Sequence, residues 1–183
     1  SSIWFNKVRT LDTHNTTSLH YLGHIQYDNG KLEKAKEHFR DYLEIIPDDS
    51  HILAQLGMVN YYLDDEQESQ KKLERSLEID DKDVDAHHYL AHIFQDNDNY
   101  QKAIDHYDKI LEIDKEDNSI VMHKGWCYYN LHKYEPAKKI IDDLEKKDLK
   151  GELNIKSQIF EMRGKISFDE RNYGESREYL DKS

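Results

Sequence analysis

A chain of 183 residues with 35% charged side chains and a formal net charge of −12 has little apolar material for one large central core, and its mean hydropathy of −1.00 suits a thin, elongated one. An acidic surface without a Lys/Arg cluster repels phosphate backbones, so nucleic acid is not expected as a partner. No apolar run reaches the ~18 residues of a membrane span, no N-terminal stretch has signal-peptide form, and the single Cys127 allows neither an intramolecular disulfide nor a multi-cysteine metal site and fits a reducing, cytoplasmic setting.

Along the chain the dominant signal is repetition. Leu43-Glu44-Ile45 returns as Leu77-Glu78-Ile79 and as Leu111-Glu112-Ile113, each 34 residues after the last. A fixed period of this size marks stacked supersecondary units, not a single globular core. The spacing predicts units over 16–49, 50–83, 84–117 and 118–151, and a last one over about 157–183 after a short insertion. Residues 1–15 are expected to form a capping helix or the second helix of a truncated preceding unit, with Phe5 and Val8 on its apolar seam. The five-residue excess around Lys147 to Asn154 predicts a longer second helix or a loop in the fourth unit.

Within each unit two helices are predicted. The first carries a small residue at its eighth position, Gly23, Gly57, Ala91, Gly125 and Gly164, where a larger side chain would hold the paired helix away. The second carries apolar residues at helical spacing, such as Leu32, Ala35, Phe39, Tyr42, Leu43 and Ile46 in the first unit, forming a buried seam. Asp28-Asn29-Gly30 and Asp96-Asn97-Asp98-Asn99 are turn signals, and acidic residues between units suit helix N-caps. Pro47 follows a helix and Pro136 opens one, where no amide hydrogen is needed.

These residues resemble the tetratricopeptide repeat across nearly the whole chain. The match rests on Leu22-Gly23, Ala35, Phe39 and Pro47, on Leu56-Gly57, on Leu90-Ala91, Tyr100, Ala103 and Tyr107, on Gly125, Tyr128, Tyr134 and Ala137, and on Gly164, Tyr173 and Leu180. The second unit departs most, with Ser69 for the usual alanine and Leu73 for the aromatic, and looser packing is expected there. The resemblance implies an all-α fold, an α-solenoid of helix-turn-helix repeats forming a right-handed superhelix. It also implies a concave face lined by the first helices.

The positions that the resemblance assigns to that face include His20, His24, Tyr27, His51, Met58, Tyr61, His88, His92, Met122, Trp126 and Tyr129, expected here as the partner-binding residues. Tyrosine, tryptophan and methionine bury much area at modest entropic cost, which suits gripping an extended peptide or a helix of a basic or apolar protein partner. Cochaperone members of the family bind acidic tails through a lysine and asparagine clamp. Here those places hold His20, His24, Gln55, Asp85 and Tyr89, and the other registers fail too, so that role is disfavoured.

His20/His24 and His88/His92 are each four residues apart on one helix face, a spacing that lets two imidazoles reach one metal ion. Two ligands hold an ion weakly unless Asp28, His51 or a partner completes the set, so no metal and no cofactor are assigned. Titration of these imidazoles near pH ~6.5 is expected to change the charge of the face and weaken a basic ligand. The carboxylates fall at caps and solvent faces, Cys127 reads as a packing residue, and no phosphate loop, nucleophile elbow or HExxH motif occurs. The expectation is a non-catalytic scaffold. Self-association through the array ends, a secretion-type chaperone and the docking region of a larger enzyme remain open alternatives.

Overall fold

The computed structural model describes the backbone of residues 2–182 and the side chains of residues 15–182. Among the described residues there are ten helices and no strand: α1 Ser2–Asp28, α2 Leu32–Ile45, α3 Ser50–Tyr62, α4 Glu66–Ile79, α5 Val84–Asp96, α6 Tyr100–Ile113, α7 Asn118–Asn130, α8 Tyr134–Glu145, α9 Leu153–Asp169 and α10 Tyr173–Leu180. Helix α1 runs without a break through the segment preceding the first predicted unit. The side chains of Phe5 and Val8 lie outside the described residues.

Aspartates placed one period apart begin the first helices. Asp49 Oδ1 accepts from the Ile52 amide, Asp83 Oδ1 from the Ala86 amide and Asp117 Oδ1 from the amides of Ser119 and Ile120. Each contact satisfies donors that the first helical turn leaves without an intrahelical acceptor. At two of these joints the other carboxylate oxygen is engaged by the helix just ended: the Tyr42 hydroxyl donates to Asp49 Oδ2 at 2.7 Å and the Ser76 hydroxyl to Asp83 Oδ2 at 2.9 Å.

The helix ends are as regular as the starts. Five turns close with an amide reaching back to the carbonyl five residues earlier: Lys31 to Gln26, Asp65 to Asn60, Asn99 to Phe94, Lys133 to Tyr128 and Asn172 to Ser167. This closure needs a left-handed residue just after the helix. Gly30 supplies it at φ 70°, and Asp64, Asp98, His132 and Arg171 adopt it at φ 57° to 65°. Only glycine does so without a Cβ penalty.

The chain divides into two compact units, Ser1–Ile93 and Phe94–Ser183, with the division falling inside α5. In the first, α1 packs on α2 and α3 on α4 around a core of Ala35, Phe39, Ile52, Leu56, Met58 and Val59. In the second, α7, α8, the loop that follows α8 and α9 enclose Met122, Ala137, Ile141, Leu144, Leu149, Ile155, Ile159, Met162 and Ile166.

Close crossing is set by the small residues. A Cβ on Gly23 would lie 2.4 Å from the Phe39 ring, on Gly57 2.6 Å from Leu73 and on Gly164 2.6 Å from Leu180. The looser packing expected of the second repeat is not found. Leu73 and Ser69 are both 0% exposed, and the Ser69 hydroxyl donates to the Gly57 carbonyl at 2.7 Å. Serine fits this close crossing because the oxygen it adds beyond alanine has an acceptor on the facing helix. Ser176 repeats the arrangement on the Gly164 carbonyl at 2.9 Å.

One detail departs from expectation and one open alternative is decided. Ile46 is 40% exposed because α2 ends at Ile45 and the next residue is extended, at φ −126° and ψ 84°, which takes it out of the helical register. The excess in the fourth repeat is a loop and not a longer helix: α8 has 12 residues against 14 in α6, and Leu149 from the loop is 4% exposed within the second core.

Candidate functional site

In the first unit, helices α1, α3 and α5 bring a run of rings together. Tyr27 on α1 lies 6.2 Å from Tyr62 on α3, Tyr61 lies 5.7 Å from Tyr89 on α5, and the hydroxyls of Tyr62 and Tyr89 are 3.2 Å apart. Tyr61 also approaches His92 at 6.3 Å. One helix turn separates His88 from His92, and their Nε2 atoms stand 3.0 Å apart. Partial burial and the Tyr62 hydroxyl raise the Tyr89 phenol above its ordinary value, and burial, then Tyr62, does the same to Tyr27. Tyr62 is 48% exposed, so the run has an accessible edge.

His20 and His24 occupy successive turns of α1, and the start of α3 brings His51 to them. The centroid separations are 4.7 Å for His20 and His24, 6.2 Å for His20 and His51 and 6.1 Å for His24 and His51. The Phe39 ring closes one side of His24 at 5.3 Å. Burial, then the charges of His20 and His51, lowers the proton affinity of His24, while Asp28 opposes the shift.

The second unit presents another constellation on α7 and α9. The Trp126 indole Nε1 donates to Gln158 Oε1 at 3.2 Å, and Lys165 Nζ stands 4.9 Å over the Trp126 ring, within cation–π range. Tyr129 meets Trp126 edge-on at 5.8 Å and lies 6.0 Å from Tyr134 with the rings tilted, while the Tyr134 hydroxyl donates to Asp169 at 3.0 Å. Burial, then hydrogen bonding to Asp169, pushes the Tyr129 phenol up to about 12.

Two of the expected contact residues are placed elsewhere. Met58 is 7% and Met122 1% exposed; each belongs to a hydrophobic core, so they support these faces and do not line them. Conversely, Tyr89, Gln158 and Lys165 join the constellations without having been singled out. Tyr89 lies at a repeat position outside the concave-face rule, and Gln158 and Lys165 are on that face but offer no large ring. Cys127 is buried, burial pushes its thiol up to about 12, and its Sγ donates to Gln95 Oε1 at 3.7 Å, as a packing residue would.

A tetratricopeptide-repeat family model matches residues 17–49, on the helix pair whose crossing Gly23 and Phe39 define. The fold is that of the tetratricopeptide repeat. A model of intraflagellar transport protein 56 matches residues 87–165 of the array. Among characterised proteins the array is 28% identical over 153 residues to the type IV pilus assembly protein PilF of Pseudomonas aeruginosa, covering 84% of the array and 56% of PilF. It thus spans about half the length of that relative. Solved structures share the fold: MamA from Desulfovibrio magneticus at a TM-score of 0.80, 13% identity and 92% of each chain, and Pseudomonas aeruginosa PilF at 0.71, 18% identity, 93% of this chain and 75% of that one. Arrays of this family are protein-interaction scaffolds. Among the described residues no helix is long and apolar enough to cross a membrane.

Proposed function

We propose that the array is a non-catalytic scaffold that holds an extended or helical segment of a protein partner on its first-helix faces. The observation that carries this reading is the tyrosine run over α1, α3 and α5, in which Tyr27, Tyr61, Tyr62 and Tyr89 meet ring to ring while Tyr62 remains 48% exposed. Aromatic rings held by one another have little conformational freedom left to lose, so their accessible edges bind at small entropic cost. Trp126 and Tyr129 offer a second such surface in the other unit.

The net charge of −12 favours a segment that is basic or apolar. The relative's printed role in pilus assembly supports a place in building a multiprotein structure. Partner capture from the source organism with the intact array, a Tyr62→Ala/Tyr89→Ala variant and a Trp126→Ala/Tyr129→Ala variant tests the reading, with Lys71→Ala as the control. A protein held by the intact array and the control, and lost from an aromatic variant of unchanged helicity, supports it. Equal capture by all four moves the site off the first-helix faces.

A further inference from the structure

We propose that His20, His24 and His51 form a three-histidine site for a divalent late transition-metal ion, with Zn²⁺ as the ion to test. The inference stands apart from the reading of the array as a scaffold. Each of the three side chains offers one nitrogen, and these nitrogens all lie within 4.8 Å of one another. Around a tetrahedral Zn²⁺ with bonds of ~2.0–2.1 Å, ligand atoms are separated by about 3.4 Å. The trio therefore needs only small ring rotations to close on an ion.

Local structure explains the convergence. Residues four apart on α1 share one face, and Asp49, by capping α3 through the Ile52 amide, fixes where the first turn of α3 presents His51. A second observation singles out the same place. His24 Nε2 is buried and has no hydrogen-bond partner among the described residues. A buried ring nitrogen in this condition is uncommon and costly, and a metal ion would accept its lone pair.

Aromatic rings and one carboxylate surround the trio. Phe39 on α2 shields His24, and Tyr42 on α2 approaches His20 at 6.2 Å with its hydroxyl already given to Asp49. Tyr21 stacks on His20 at 5.5 Å, and Asp28 acts on His24 from the next turn of α1. Uncharged imidazoles are the form that binds metal, and three of them with no thiolate select Zn²⁺, Ni²⁺ or Cu²⁺ over Mg²⁺ or Ca²⁺. His51 is exposed while the other two are half-buried, so the fourth coordination position opens to solvent.

The test is calorimetric titration of Zn²⁺ into the untagged, chelator-stripped chain, with Co²⁺ absorption as a geometric readout. One ion per chain with a tetrahedral Co²⁺ spectrum is the expected result. The exposed His51→Gln and the half-buried His24→Gln are each expected to weaken that binding by about tenfold or more with helicity unchanged. A His88→Gln/His92→Gln variant retains it. Absence of saturable Zn²⁺ binding, or binding undiminished in His51→Gln, overturns the proposal.

Discussion

Replacing Gly57 by alanine is expected to destabilise the first unit, although alanine is the better helix former. The added methyl carbon would lie 2.6 Å from both Cγ and Cδ2 of Leu73 and 3.3 Å from the Ser69 carbonyl oxygen. Leu73 is 0% exposed, and Cγ is its branch point, so the side chain cannot swing aside. Ser69 is tied to the same backbone by its hydroxyl bond to the Gly57 carbonyl. The hairpin must open, at an overpacking cost of about 3 kcal/mol, against which helix preference returns about 1 kcal/mol. The net loss of about 2 kcal/mol corresponds to a fall of about 1 M in the urea midpoint for a slope near 2 kcal/mol/M.

Gly125→Ala is the internal control. There the nearest atoms are Met162 Cε at 3.2 Å and Ile140 Cγ2 at 3.3 Å, so a shift of a few tenths of an ångström suffices, and the Met162 terminus is the flexible end of an unbranched side chain. The same gain in helix preference offsets the contact, leaving a change within about 0.5 kcal/mol. Far-UV circular dichroism in urea reads both variants. A Gly57→Ala midpoint at or above that of the parent, or equal shifts in the two variants, refutes the steric argument.

Two further outcomes follow from positions with simple surroundings. Cys127, with its thiol pushed up to about 12, is almost wholly protonated at mildly alkaline pH, where a free thiol of pKa ~8.5 is partly ionised; disulfide reagents are expected to label it at least about a hundredfold more slowly in the folded chain than in urea, and labelling within tenfold of the unfolded rate contradicts that burial. Arg171 holds a left-handed φ of 65° that glycine adopts freely, so Arg171→Gly is expected to stabilise by about 0.5–1 kcal/mol and Gly30→Ala to destabilise by about 1 kcal/mol, both read as urea midpoints; shifts of the same sign exclude turn strain as the cause.

The repeat was legible because its determinants are local and periodic. Gly23, Gly57 and Gly164 announce the crossings on which Phe39, Leu73 and Leu180 close, and Asp49 and Asp117 announce the caps. The turns were legible only where glycine or asparagine marked them. His132 and Arg171 adopt the same left-handed conformation with no compositional cue, because the pattern of amide-to-carbonyl closure, and not the residue type, imposes it. The looser second repeat was misjudged for a related reason: Ser69 reads as polar until its hydroxyl is seen to have an acceptor on the facing helix.

The candidate sites were harder to read. Helical spacing put His20 beside His24 and His88 beside His92. That His51 joins the first pair depends on how α3 packs relative to α1. Met58 and Met122 occupy face positions by count but belong to the two cores, where a long unbranched apolar side chain packs readily. Tyr89 entered the tyrosine run from a position the periodic rule passes over.

The shared aspartates give the joints between repeats unequal strength along the chain. At Asp49 and Asp83 one carboxylate begins the incoming helix while Tyr42 or Ser76 of the outgoing helix grips its other oxygen, so neither end can fray without loosening the other. At Asp117 the equivalent donor position is Ile110, which has no hydroxyl to give, and the joint is capped but not clasped. One period later stands Gly151, which can do neither, and α9 begins at Leu153 with no side-chain cap from Glu152. The aspartate clasp is thus confined to the joints before α3 and α5, while α9 is held from the side, where Asn118 donates to Glu152 and Arg163 pairs with Asp142 and Glu145.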